Sequence, residues 1–188
     1  GMGYDDVTAI VVDVNGNIYI GGQSDSNDSI STPGCHQSTR AGVKDAFLVK
    51  FNSSGVRQWA TYFGGTSGEN TSCLIADTLG NIYMTGGTQS TTGISTPGTH
   101  QPVMGGGGYD AFLVKFNSSG IRQWATYYGG ASNEQGNKLS FDTSGNLYLT
   151  GGTASNSGIS TVGAHQSVIG GGVDHFIVKF DNGGVRQW

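Results

Sequence analysis

The chain has 188 residues, with nine Lys plus Arg against 13 Asp plus Glu, a net charge of −4, and 34 glycines beside only three prolines. This balance supplies no basic stripe to neutralise phosphates, which sets nucleic acid aside as a partner, and no apolar run approaches the length of a membrane span. The glycines stand between short hydrophobic runs, so the composition describes many tight turns and not a collagen-like or disordered chain.

Taken from the N-terminus, Gly1 ahead of Met2 reads as a cloning remnant on a piece of a longer protein. The start Gly-Met-Gly-Tyr-Asp-Asp lacks the basic and apolar regions of a signal peptide. A first strand is expected from near Thr8, and Asp13-Val-Asn-Gly16 turns the chain into the next. The stretch from Asp45 to Gly65, DAFLVKFNSSGVRQWATYFGG, then returns as Asp110 to Gly130 with two changes in 21 positions, and begins again at Asp174. Trp59, Trp124 and Trp188 repeat with spacings of 65 and 64, and Gly16, Gly80 and Gly145 with 64 and 65. The chain is therefore three tandem units, 1–65, 66–130 and 131–188.

Each unit has four stretches of strand character, which in the second are SCLIAD (72–77), NIYMTGG (81–87), DAFLVKF (110–116) and IRQWATYYGG (121–130). In the third of these Phe112, Val114 and Phe116 alternate with Ala111, Leu113 and Lys115, and a strand apolar on both sides suits a sheet covered on both faces. Asp or Asn followed three residues later by Gly joins the first two strands of each unit (Asp13, Asp77, Asp142) and the last two (Asn52, Asn117, Asp181). In such a turn the Asx side chain accepts from the backbone and glycine takes the positive φ that closes an antiparallel hairpin. A polar loop of about 20 residues, as from Gln89 to Tyr109, separates the hairpins. The second and third units are expected to begin near Ser72 and Asn137. Four antiparallel strands per unit without helix signals predict an all-β fold, a β-propeller of three four-stranded blades.

The motifs GNIYMTGGTQS, STPGTHQ, DAFLVKFNSSG and TYYGG resemble the bacterial beta-propeller repeat called SBBP. They recur in the first unit as GNIYIGGQS, STPGCHQ, DAFLVKFNSSG and TYFGG, and in the third as GNLYLTGGT, STVGAHQ and DHFIVKF. The resemblance implies one propeller blade per unit, a secreted or cell-surface protein, and a binding or display role without catalysis. The departures are Val162 for proline, His175 for alanine, and a third unit without ATYxGG, which leaves its outer strand truncated.

Several recurrent side chains could carry chemistry. Asp5, Glu69 and Glu134 recur at the approach to each first strand, followed by Asp6, Asn70 and Gln135. If that strand lines the channel they form a ring of hard oxygen ligands suited to Ca²⁺ or Mg²⁺; otherwise they accept backbone N–H bonds, and no cofactor is expected. His36, His100 and His165 invite zinc, but loop histidines hydrogen-bonded to backbone fit better. Trp59, Trp124 and Trp188 offer faces for sugar rings or, more simply, pack between blades. Lys50, Lys115 and Lys179 are expected to pair with carboxylates, and Cys35 and Cys73 to stay unbridged. The residues that break the repeat, Cys35, Arg40, Cys73, Lys138 and His175, form no catalytic constellation. The expected function is a non-catalytic interaction or display module, the alternative a lectin-like carbohydrate-binding propeller. Three blades are too few to close a ring, so a homodimer of six blades is the expected assembly, with a protein or glycan ligand.

Overall fold

Six Asx turns build the molecule. In each, the Oδ1 of the Asp or Asn accepts the backbone N–H groups two and four residues on, as Asp13 does from Asn15 and Asn17 at 2.9 Å, and as Asn117 does from Ser119 and Ile121 at 3.0 Å. The closing glycines, Gly16, Gly55, Gly80, Gly120, Gly145 and Gly184, take φ between 77° and 80°, where a Cβ is disfavoured. Each turn therefore reverses the chain into an antiparallel neighbour.

The computed structural model describes residues 1–188. Its first sheet runs in sequence order through β1 (Asp5–Val12), β2 (Ile18–Ser24), β3 (Asp45–Phe51) and β4 (Arg57–Phe63). The second holds β5 (Glu69–Ala76), β6 (Ile82–Thr88), β7 (Asp110–Phe116) and β8 (Arg122–Tyr128). The third has three strands and not four: β9 (Glu134–Phe141), β10 (Leu147–Thr153) and β11 (Asp174–Phe180). After the turn at Asp181, pairing with β11 amounts to a bridge between Phe180 and Arg186, a bond from Gln187 N–H to the Lys179 carbonyl at 2.8 Å and one from Lys179 N–H to the Trp188 carbonyl at 3.1 Å.

The first strand of every blade begins three residues before the expected Thr8, Ser72 and Asn137. The reason is a bulge at those positions: the register slips between Val7 and Ala9, between Thr71 and Cys73, and opposite the Thr150–Gly151 step. A bulge leaves one residue unpaired and breaks the alternation by which a strand is read.

Both faces of the central strands are buried, and the blades share their cores. Tyr19, Ala46, Leu48 and Phe63 of the first blade form one cluster with Leu74, Met84, Phe112, Val114 and Phe116 of the second. The second cluster joins Tyr83, Ala111, Leu113 and Tyr128 to Leu139, Leu149, Phe176, Val178 and Phe180 of the third blade. The even and odd positions of DAFLVKF thus serve different junctions. A smaller cluster of Ile30, Phe47, Val49, Ala60 and Tyr62 backs the first blade, with Ile20 and Phe51 only partly covered.

The junctions can be weighed against the turns with two glycines of like conformation. A Cβ at Gly120 would lie 2.8 Å from the Trp59 ring, whereas one at Gly55 would meet nothing within 4 Å. Gly55→Ala is expected to cost only the positive-φ penalty of about 1–2 kcal/mol, and Gly120→Ala about 1–3 kcal/mol more because the indole must move. Urea unfolding of the two variants, at a dilution where the chain is monomeric and nothing covers Gly55, checks the difference.

Candidate functional site

The recurrent side chains converge on the two blade junctions. Trp59 of β4 lies over Gly120 in the next blade's turn and its Nε1–H donates to the Ser118 carbonyl at 3.1 Å. Trp124 of β8 repeats this over Gly184, donating to the Asn182 carbonyl at 2.8 Å. Each indole tilts against a tyrosine of its own blade, Trp59 on Tyr19 and Trp124 on Tyr83, with centroids 6.1 Å apart. Their faces are occupied by protein.

The lysines depart from the expected carboxylate pairing. Lys50 Nζ lies 5.3 Å from the Tyr19 ring centroid and donates to the Ser118 carbonyl at 3.1 Å, and Lys115 sits 5.1 Å from the Tyr83 centroid. An ammonium over an aromatic face needs no carboxylate. Lys179 alone has both, over Tyr148 at 5.4 Å and 3.6 Å from Asp142.

The loop histidines are packing groups, which corrects the backbone-bonded reading. His36 leaves its own blade and sets its ring edge-on to Phe116 at 5.8 Å, beside Phe63 at 6.4 Å. His100 does the same with Phe180 at 6.0 Å and Tyr128 at 5.8 Å. Burial, aided by the charges of Arg122 and Arg186 respectively, pushes both imidazoles down to about 4, so they are neutral packing rings near neutral pH. His165 has no blade across from it and is exposed.

Asp5, Glu69 and Glu134 are the first residues of β1, β5 and β9, not approach residues. Thr88 Oγ1 donates to Glu69 Oε1 at 2.6 Å and the Gly65 N–H to Oε2 at 3.0 Å. Thr153 and the Gly130 N–H bind Glu134 in the same way at 2.6 and 2.7 Å. Asp5 accepts from Ser24 and Ser26. The oxygens that a calcium ring would use are thus engaged within the fold, and no three acidic, histidine or cysteine side chains gather as a metal-holding group.

Sequence reasoning missed a second acid beside each buried glutamate. A Cβ on Gly64 would clash with the Glu69 carboxylate and lie 2.5 Å from the Asp45 Cγ, so the two carboxylates close over that glycine. In the next blade a Cβ on Gly129 would fall 2.6 Å from both Asp110 oxygens, and Glu134, which accepts from the following N–H at Gly130, is near enough for its charge to act on Asp110. Asp110 Oδ2 accepts from Gln101 Nε2 and the Gly105 N–H, while Oδ1, fully buried, has no partner. Burial pushes the Asp110 carboxyl up to about 6, with the Glu134 charge adding to it, and burial likewise raises Glu69. The available signal was the aspartate that recurs at the same place in every unit, Asp45, Asp110 and Asp174. Cys35 and Cys73 are unbridged.

Residues 123–158 match the family model of the SBBP beta-propeller repeat. That stretch runs from β8 through Glu134, β9 and its Asx turn into the loop after β10, so it spans the junction between the second and third blades. The chain carries a beta-propeller repeat of this kind. No curated protein matches the chain, and no helix is long and apolar enough to cross a membrane.

Proposed function

We propose that the chain is a non-catalytic interaction and display module of an extracellular or surface protein, acting as a six-bladed ring closed by two copies. The observation that carries this reading is that the two ends display matching, unfilled halves of one junction. In the occupied junctions Leu74 and Leu139 are buried; their first-blade counterpart Ile10 is 67% exposed. Leu48 and Leu113 are likewise buried, while Ile177 is 55% exposed. Gly55 and the partly covered Phe51 stand where the seats of Trp59 and His36 stand in the second blade, and Trp188 and His165 stand free on the third. The extracellular placement is supported by the resemblance of the repeat. A head-to-tail contact of this kind closes when two copies complete the ring, and three blades each give a number within the usual four to eight.

Light scattering is expected to report twice the 19.4 kDa chain mass. Ile10→Asp or Ile177→Asp would bury an unpaired carboxylate in the seam and weaken association at least about a hundredfold, ~3 kcal/mol per seam, leaving a monomer. A monomeric parent chain would overturn the ring. One observation favours a lectin-like alternative: Trp188, unlike the other two indoles, is 46% exposed beside a groove. Saturable glycan binding abolished by Trp188→Ala would support it.

A further inference from the structure

Residues of all three blades meet around a pocket of about 350 Å³ at the start of β5 and β9. Lys44 comes to it from the first blade, Glu69, Asn70, Gly87 and Tyr109 from the second, and Gln135 from the third. Backbone bonds fix this wall, the Glu69 N–H donating to the Lys44 carbonyl at 2.7 Å and the Glu134 N–H to the Tyr109 carbonyl at 2.9 Å. The whole wall lies between positions 44 and 135 and includes none of the seam residues Ile10, Phe51 and Ile177.

Two amides present opposite polarities beside one glycine. Asn70 Oδ1 accepts the Gly87 N–H at 3.1 Å and Gln135 Nε2 at 2.8 Å, and the same Nε2 reaches Ser72 Oγ at 2.9 Å. These bonds occupy the oxygen of one amide and the nitrogen of the other. Asn70 Nδ2 is left as a donor and Gln135 Oε1 as an acceptor, neither bonded to protein nor sealed from solvent. A Cβ on Gly87 would lie 3.3 Å from the first and clash with the second, so only glycine lets both stand there. In the first blade Gln23 holds this position and donates to Asp6 Oδ2 at 3.3 Å, so a side chain takes up the room that Gly87 leaves open. The ion pairs of the chain are Gly1 with Asp5 and Lys179 with Asp142, which leaves the half-buried Lys44 unpaired. Glu69 is buried and its oxygens are held by Thr88 and the Gly65 N–H. Tyr109, the one aromatic of the wall, is exposed.

We propose that this pocket binds a uronic acid unit, a sugar ring bearing a carboxylate. A wall this polar cannot hold a ligand by apolar burial, so the ligand must carry groups that donate and accept at once. A ring hydroxyl does both, accepting from Asn70 Nδ2 while donating to Gln135 Oε1. Lys44 takes the carboxylate in a charge-assisted bond, and the Tyr109 ring lies against the C–H face of the sugar. The inference rests neither on ring closure nor on the groove beside Trp188.

Two-dimensional NMR of the isotope-labelled 188-residue chain, titrated with methyl glucuronide and separately with methyl glucoside, tests this. Saturable shifts of the Gly87 amide with a Kd on the order of 1 mM are expected for the acid, and about tenfold weaker binding for the neutral sugar. Lys44→Met should bring the acid down to the affinity of the neutral sugar and leave the neutral sugar unmoved, while Gln135→Leu should weaken both about tenfold. The Ile10→Asp chain should bind as the parent does, since one chain supplies the whole pocket, and this separates a failed ring from a failed pocket. No saturation with the acid, equal losses of both sugars in Lys44→Met, or displacement of the acid by an equal concentration of acetate would overturn the proposal. Shifts that disappear in Trp188→Ala would assign the sugar to the other groove and overturn it as well.

Discussion

Phe116→Ala is expected to lower unfolding stability by about 3–5 kcal/mol, a large part of what a domain of ordinary stability possesses. The ring is fully buried, stands edge-on to His36 at 5.8 Å and Phe63 at 6.0 Å, and belongs to the cluster shared by the first two blades. Its counterpart Phe51 occupies the same place in its own blade but has no blade across from it and is only partly covered. Phe51→Ala should therefore cost less, roughly 1–3 kcal/mol. Both are best measured by urea unfolding in the Ile10→Asp background, where no second copy covers Phe51. Equal losses would mean that junction packing adds nothing to the stability of a blade.

Asp110→Asn is expected to stabilise the chain at pH 7–8 by about 1–3 kcal/mol, the cost of leaving a buried charged acceptor without a partner. The asparagine carbonyl would keep the bonds from Gln101 and Gly105, and its amide would donate where Oδ1 now has nothing. The sign follows from proton linkage. The folded chain holds the Asp110 proton up to about pH 6, while the unfolded chain releases it near 3.8. Between those values the folded state binds more protons, so this group's contribution to stability falls as pH rises, and the full penalty is present above about pH 6. The variant's advantage should vanish near pH 4. His36 and His100 act in the opposite sense: both are neutral when folded until about pH 4 but charge near 6.5 when unfolded, so their contribution is lost as pH falls through that window. Parent and variant share that term, and the difference between their pH profiles isolates the aspartate.

What the sequence made legible is what residues decide locally. The six Asx turns rest on a side chain and a glycine three residues apart, and all six form with the expected bonds and positive φ. The two-sided burial of DAFLVKF was readable for a similar reason, since alternation with apolar residues on both faces has few other solutions. The bulges at Thr8, Ser72 and Asn137 were not, because a one-residue slip is fixed by the partner strand and leaves no local mark. The histidines, and Lys50 and Lys115 but not Lys179, were misread for a related reason: their partners, Phe116 for His36 and the Tyr19 face with the Ser118 carbonyl for Lys50, lie across a junction or across strands. The neighbourhood of Asp110 and Glu134 was equally hidden, since both recur at fixed spacing but only the packing of consecutive blades brings the charge of one to bear on the other. Trp59 and Trp124, open from sequence to a sugar-stacking or a packing role, lie in the junctions, and their hydrogen bonds to the neighbouring turn were not foreseen.

The shared clusters also determine how the molecule comes apart. Because half of each core belongs to the next blade, the smallest unit that can open cooperatively is a junction and not a sheet, and the free energies add along the chain as nearest-neighbour terms. In a single chain kept apart from a second copy, the middle blade is held by two such terms and each outer blade by one. Fraying therefore starts at β1 or at β11, where amide protons exchange through low-energy local openings, while the amides of β6 and β7 exchange only when the whole array unfolds.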